Sequence, residues 1–134
     1  MFRFSEVARL RYVCWLEIQG RIEAKMLSRR TTYAVYLVFK FDHSKRGFNE
    51  RPVEMCVSVE GDESGSRCTA FLDPPGNEPQ LSRERGDGWM EIVMGRFFND
   101  NGDDGGFVCS LCETDDYTGK HGLVIEGIEF RPED

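Results

Sequence analysis

Along most of this chain apolar and polar positions alternate with a period of two. In WLEIQ, Trp15, Glu17 and Gln19 point one way, and Leu16 and Ile18 point the other. That spacing describes a half-buried strand and not a helix. TTYAVYLVFKF is rich in β-branched and aromatic residues, which suit a pleated and packed surface. PVEMCVSVE sets Val53, Met55, Val57 and Val59 on one face. GWMEIVMGRFF sets Trp89, Glu91 and Val93 against Met90, Ile92 and Met94. RCTAFL, FVCSLCE and GLVIEGIEFRP read as further strands, the last broken by Gly127.

The pattern predicts strands over 13–19 and 21–27 with Gly20 as a kink between them, then a turn from Ser28 to Thr31 and a long central strand over 32–41. DHSKRGFNERP is expected to be a loop, and 60–66 a turn cluster. Asp73 to Gly88 is the longest loop, polar and rich in Pro and Gly. NDNGDDGG and TDDYTGKHG join the later strands. Ser5 would cap a short helix through Val7, Ala8 and Leu10. About eight strands, almost no helix and regularly recurring turn signals predict an all-β protein: an antiparallel, jelly-roll-like β-sandwich. A chain of 134 residues supports one domain, 1–134, around one core.

Charge and composition narrow the function. A net charge of −7 would be repelled by a nucleic-acid backbone or an anionic membrane, so neither is expected as the main partner. The longest apolar run, YAVYLVF, falls far short of the ~18–20 residues of a membrane span. Charges break up the N-terminus MFRFSEVARLRYV, which leaves no room for a signal-peptide core. Five cysteines at irregular spacing suit a reduced chain in the cytoplasm or nucleus.

Little in the sequence points to catalysis. There is no G-x-S-x-G, no P-loop and no G-x-G-x-x-G after a strand. His43 and His121 sit among charges with no nucleophile beside them. Cys109 and Cys112 form a C-x-x-C, but within a strand residues three apart face opposite ways and the sulfurs diverge. NDNGDDGG lacks the ligand alternation of an EF-hand and reads as an acidic turn. No enzyme, cofactor or metal site is expected. Trp15 and Trp89, each beside strongly apolar neighbours, read as core.

The TDDYTGKHG loop offers the best ligand chemistry. It combines carboxylates, an aromatic ring and a lysine, the mixture that stacks on and hydrogen-bonds to sugars. Glu113, just before the loop, and Tyr117 and Lys120 within it are the candidate carbohydrate-binding residues. The alternative is an ordinary polar loop at the end of a sandwich.

Three ordered blocks carry a resemblance. RFSEVARLRYVCWLEIQGRIEAKMLSRRTTYAVYLVFKF, GDGWMEIVMGRFFNDNGDDG (Gly86 to Gly105) and GLVIEGIEFRP (Gly122 to Pro132) resemble the lectin-like domain of the plant phloem protein 2, or Nictaba-like, family. The first block is especially similar to that family's F-box members. The resemblance implies a jelly-roll-like sandwich that binds N-acetylglucosamine oligomers or N-glycan cores, on free glycans or on glycoproteins. It also implies, through the F-box members, protein partners in a ubiquitin-ligase complex. Some of the lectin's sugar anchors are changed. Gly106 stands where the lectin has an acidic residue, Gly119 where it has a tryptophan before the lysine, and Glu113 keeps a second acidic position. Neither the family's tryptophan-rich leading segment nor an F-box is in this sequence, and the domain is read as shortened at its N-terminus. Three readings follow: a carbohydrate-binding domain, the recognition half of an F-box adaptor, and a self-associating structural protein that forms a homodimer through an unpaired edge strand.

Overall fold

The computed structural model describes residues 2–3, 8–9, 16–49, 52–62, 65–100, 105–113 and 121–133. Of residues 2, 3, 8, 9, 16, 17, 113 and 121 only the backbone is considered. The strands are β1 (Phe2–Arg3), β2 (Ala8–Arg9), β3 (Leu16–Glu23), β4 (Thr31–Arg46), β5 (Val53–Val59), β6 (Ser66–Ala70), β7 (Arg83–Glu84), β8 (Met90–Asn99), β9 (Gly106–Glu113) and β10 (His121–Glu133). One 3-10 turn spans Ala24–Met26. Every pairing among the described residues is antiparallel. One sheet runs β1-β10-β4-β8-β7, with β2 also on β10, and the other runs β3-β9-β5-β6.

The two sheets stack face to face, giving the expected antiparallel sandwich. Alternate residues of the six-stranded sheet (Val35, Leu37, Phe39, Ile92, Met94, Phe130) meet Ile22, Met55, Val57, Phe107, Cys109 and Leu111 of the four-stranded sheet. Burying such side chains contributes about 1.5–3 kcal/mol each. Aromatic rings bridge the layers: Phe97 of β8 stacks on Phe107 of β9, with centroids 3.8 Å apart. Gly95 allows the close approach at the open side, because a Cβ there would collide with Ser66 Oγ and Val57 Cγ2.

Four local expectations need correction. Gly20 does not divide two strands; it lies inside β3, opposite Cys109, where an exposed edge tolerates a glycine. β3 ends at Glu23, and the 3-10 turn replaces the strand expected to run on to 27. DHSKR is not loop but the end of β4. Its backbone pairs with β10 out to Arg46 opposite His121, and ladder hydrogen bonds do not depend on side-chain polarity. The helix expected through Val7, Ala8 and Leu10 is absent at Ala8, which pairs with Ile125 as part of β2. The break at Gly127 is present as a register shift between Ile125 and Gly127.

Candidate functional site

β9 ends at Glu113 in the four-stranded sheet, and β10 begins at His121 in the six-stranded sheet. Glu113 closes β9, with its backbone opposite Leu16. Its side chain, and Tyr117 and Lys120, lie outside the described residues. Neighbouring elements of that end are described. β10 starts with His121 opposite Arg46 and Leu123 opposite Phe41, and β8 starts with Met90 opposite Phe39. The last part of β4 and the residues just before β8 therefore sit at the same end as the Glu113–His121 link.

A hollow of about 450 Å³ opens there, lined by Lys40, Phe41, Lys45, Glu84, Gly86, Gly88, Trp89 and Met90. Its wall is the tight link between β7 and β8. The Arg85 amide donates to the Trp89 carbonyl at 2.9 Å, and the Trp89 amide donates to Asp87 Oδ1 at 3.0 Å. Gly86 and Gly88 take φ of 91° and 90°, a left-handed conformation that favours glycine. Trp89 is half-buried, and the Lys40 ammonium sits 4.4 Å from the centroid of its ring. Lys45 lies 5.5 Å from the Phe41 ring and 3.1 Å from Asp73 Oδ1. Trp89 is thus a wall of this hollow and not part of the core, contrary to the expectation. The missed signal is its place between Gly88 and the first β8 pair, on the same face as Glu91.

A second, larger depression of about 810 Å³ crosses the outer face of the four-stranded sheet. Register builds it. Gln19 faces Ser110, Ser110 faces Cys56, and Cys56 faces Arg67 in one row across all four strands. In the next row Arg21 faces Val108, which faces Ser58. Short side chains form the floor. Charged pairs fix the rim: Arg21 grips both carboxylate oxygens of Glu60, and Arg67 Nη1 donates to Glu54 Oε1 at 2.8 Å. The Arg21 hydrogen bond holds the Glu60 carboxyl below its usual range, although desolvation opposes the shift.

The outer face of the six-stranded sheet is different. Arg131 of β10 reaches across β4, its guanidinium 3.8 Å from the Tyr36 ring, to Glu91 of β8 at 2.8 and 2.9 Å. Arg131 also meets Glu129 at 3.2 Å, Arg85 holds Glu129 at 3.0 and 3.1 Å, and Arg83 meets Glu91 at 3.2 Å. Glu91 and Glu129 are buried. The Arg131 hydrogen bonds, ahead of an opposing desolvation, hold the Glu91 carboxyl below its usual range. The same contact raises Arg131, again against desolvation.

The C-x-x-C does diverge: Cys109 is buried, and burial pushes its thiol up to about 12, while Cys112 is half-buried on the other face. Among the described residues, no group of three or more His, Cys, Asp or Glu could hold a metal ion. Among those residues no helix is long and apolar enough to cross a membrane.

Comparison with known proteins places this frame. The profile described as "Phloem protein 2" matches residues 2–132. The chain belongs to the phloem protein 2 family. Among its relatives is F-box protein PP2-B10 of Arabidopsis thaliana, 43% identical over 135 residues, which cover 97% of this chain and 50% of that protein. Putative F-box protein PP2-B2 is 40% identical, over 97% of this chain and 44% of its own length. F-box protein PP2-B1 is 35% identical, over 98% and 54%. All three are from Arabidopsis thaliana, and their names are those of F-box proteins and not of enzymes. The chain spans about half the length of the curated relatives it matches.

Proposed function

We propose that this phloem protein 2 domain is a non-catalytic recognition module for glycans of the N-acetylglucosamine-oligomer or N-glycan type. Its site is the sandwich end where the Glu113–His121 link adjoins the Trp89 hollow. The observation that carries the reading is the half-buried Trp89 indole, beside Lys40, Lys45 and Glu84, at the end of the sandwich where β10 begins at His121. An aromatic face stacks on the apolar side of a sugar ring, while carboxylates and ammonium groups bind hydroxyls. With few anchors, little free energy is left after ordering and desolvation, so the expected affinity is roughly millimolar. Chitotriose titrated into the folded chain, followed by tryptophan fluorescence and by calorimetry, tests this. Saturable heat that disappears in Trp89→Ala and in Lys120→Ala is expected. A flat titration of folded protein overturns the reading.

A second reading draws on the relatives named as F-box proteins, whose remaining half lies outside this match. Here the domain is the substrate-recognition half of an F-box adaptor in a ubiquitin-ligase complex. Both readings put its action in the cytoplasm or nucleus, where free thiols persist. The full-length transcript separates them: an upstream F-box coding segment supports the adaptor, and a tryptophan-rich leader alone supports the lectin.

A further inference from the structure

We propose that Lys40 is an autoinhibitory plug of the Trp89 hollow: its ammonium occupies the indole face on which a sugar would stack, and a glycan binds by displacing it. The inference rests on the glycan reading and adds a regulation of the same site.

The β4–β8 ladder brings the pair together. Phe39 lies opposite Met90, and one step further along both strands Lys40 comes beside Trp89. Phe39 points into the core, so Lys40 points to the outer side of the sheet. Its ammonium lies 4.4 Å from the centroid of the indole. Both residues line the hollow, so the covered face is the one that the hollow presents. A sugar ring in van der Waals contact needs that face at about 4–4.5 Å. Ammonium and sugar therefore cannot share it.

A contact of the same kind on this sheet shows why the plug can open. Arg131 lies 3.8 Å from the Tyr36 ring, but Glu91 and Glu129 hold its guanidinium by hydrogen bonds. Lys45, the other ammonium of the hollow, is held by Asp73 at 3.1 Å. Lys40 has only the ring: among the described residues no carboxylate pairs with it. It is half-buried on a flexible four-carbon stem, so its head can swing into water while its backbone stays in β4. Displacement costs one cation–π contact, which is small where water reaches the cation. The plug thus weakens sugar binding without abolishing it, and Lys45 and Glu84 remain to meet hydroxyls.

Calorimetric titration of chitotriose into the wild-type chain, Lys40→Thr and Lys40→Arg tests this. Threonine suits a strand and is too short to reach the ring, so Lys40→Thr should bind about two- to fivefold more tightly, the equivalent of one exposed cation–π contact. Lys40→Arg keeps a cation that stacks on the indole and should bind no more tightly than wild type. In NMR spectra of the wild-type chain, the ring should shift the Lys40 ε-methylene protons upfield, and they should return toward their ordinary position as chitotriose saturates. That readout serves if Lys40→Thr does not fold. Wild-type binding that Lys40→Thr leaves equal or weakens overturns the proposal, as does an upfield shift that persists at saturation. Flat titrations of both folded proteins overturn the glycan reading itself.

Discussion

The two outer faces of this sandwich use the same side chains to opposite ends. On the six-stranded sheet, Glu91 and Glu129 keep 5% and 1% of their exposure and are enclosed by Arg83, Arg85, Arg131 and the Tyr36 ring. On the four-stranded sheet, Arg21–Glu60 and Arg67–Glu54 are pairs of comparable geometry whose side chains stay 37–60% exposed. Solvent decides between the roles. An enclosed carboxylate must keep its cations, so the first cluster fastens the Arg83–Trp89 segment to the sheet. An exposed pair exchanges freely with water and can meet a partner at little cost.

Removing Arg131 should be the most damaging single change to either face. Arg131→Ala leaves Glu91 and Glu129 short of their shared cation in a dry setting, and breaking a buried pair costs about 3–5 kcal/mol. Urea unfolding followed by circular dichroism measures it. A loss below about 1 kcal/mol, the range of a surface pair, would mean that water reaches the cluster and that the contrast between the faces is false.

How much of this arrangement the sequence disclosed depends on the distance between partners. Period-two alternation in Val53–Val59 and Met90–Met94 located those strands and sorted their residues into two faces, because that signal is local. The end of β4 was hidden because Asp42, His43, Ser44, Lys45 and Arg46 are polar, and only the partner strand makes them extended. The ion cluster was hidden for a related reason. Arg85 and Glu129 are 44 positions apart, and nothing local to either announces the other. The depression on the four-stranded sheet depends on register across four strands, which alternation within each strand cannot supply. At the candidate site, Glu113, Tyr117 and Lys120 were chosen from loop chemistry, and the described frame reaches only the strand ends at Glu113 and His121. Trp89 was misassigned because an indole beside Met90 and Ile92 has the same local pattern in a core as at its margin.

Acid should separate the faces next, with a smaller effect than truncation. The Glu91 carboxyl is held below its usual range by hydrogen bonds from Arg131 and then Arg83. Its contribution is therefore fully present above the unfolded carboxylate range, near 4.3, and is lost as pH falls through its depressed folded value. Wild-type stability should drop steeply on acidification below that range. Arg131→Ala, which lacks the main cause of the depression, should lose less over the same interval. Parallel curves for the two proteins would show that the acid response arises elsewhere.

The smallest effect should come from the rim of the depression on the four-stranded sheet. Arg67 Nη1 meets Glu54 Oε1 at 2.8 Å, a distance matching the Arg131–Glu91 contact, but its side chain is 60% exposed. If geometry alone set the energy of an ion pair, Arg67→Ala and Arg131→Ala would be equally harmful. If solvent sets it, Arg67→Ala should change stability by no more than about 0–1 kcal/mol and should fade into error at high salt. Denaturant midpoints at low and high ionic strength decide between these. A stable Arg67→Ala protein would show that exposure, and not distance, sets the energy of the pair. A strongly destabilised one would make the depression a structural face like its counterpart.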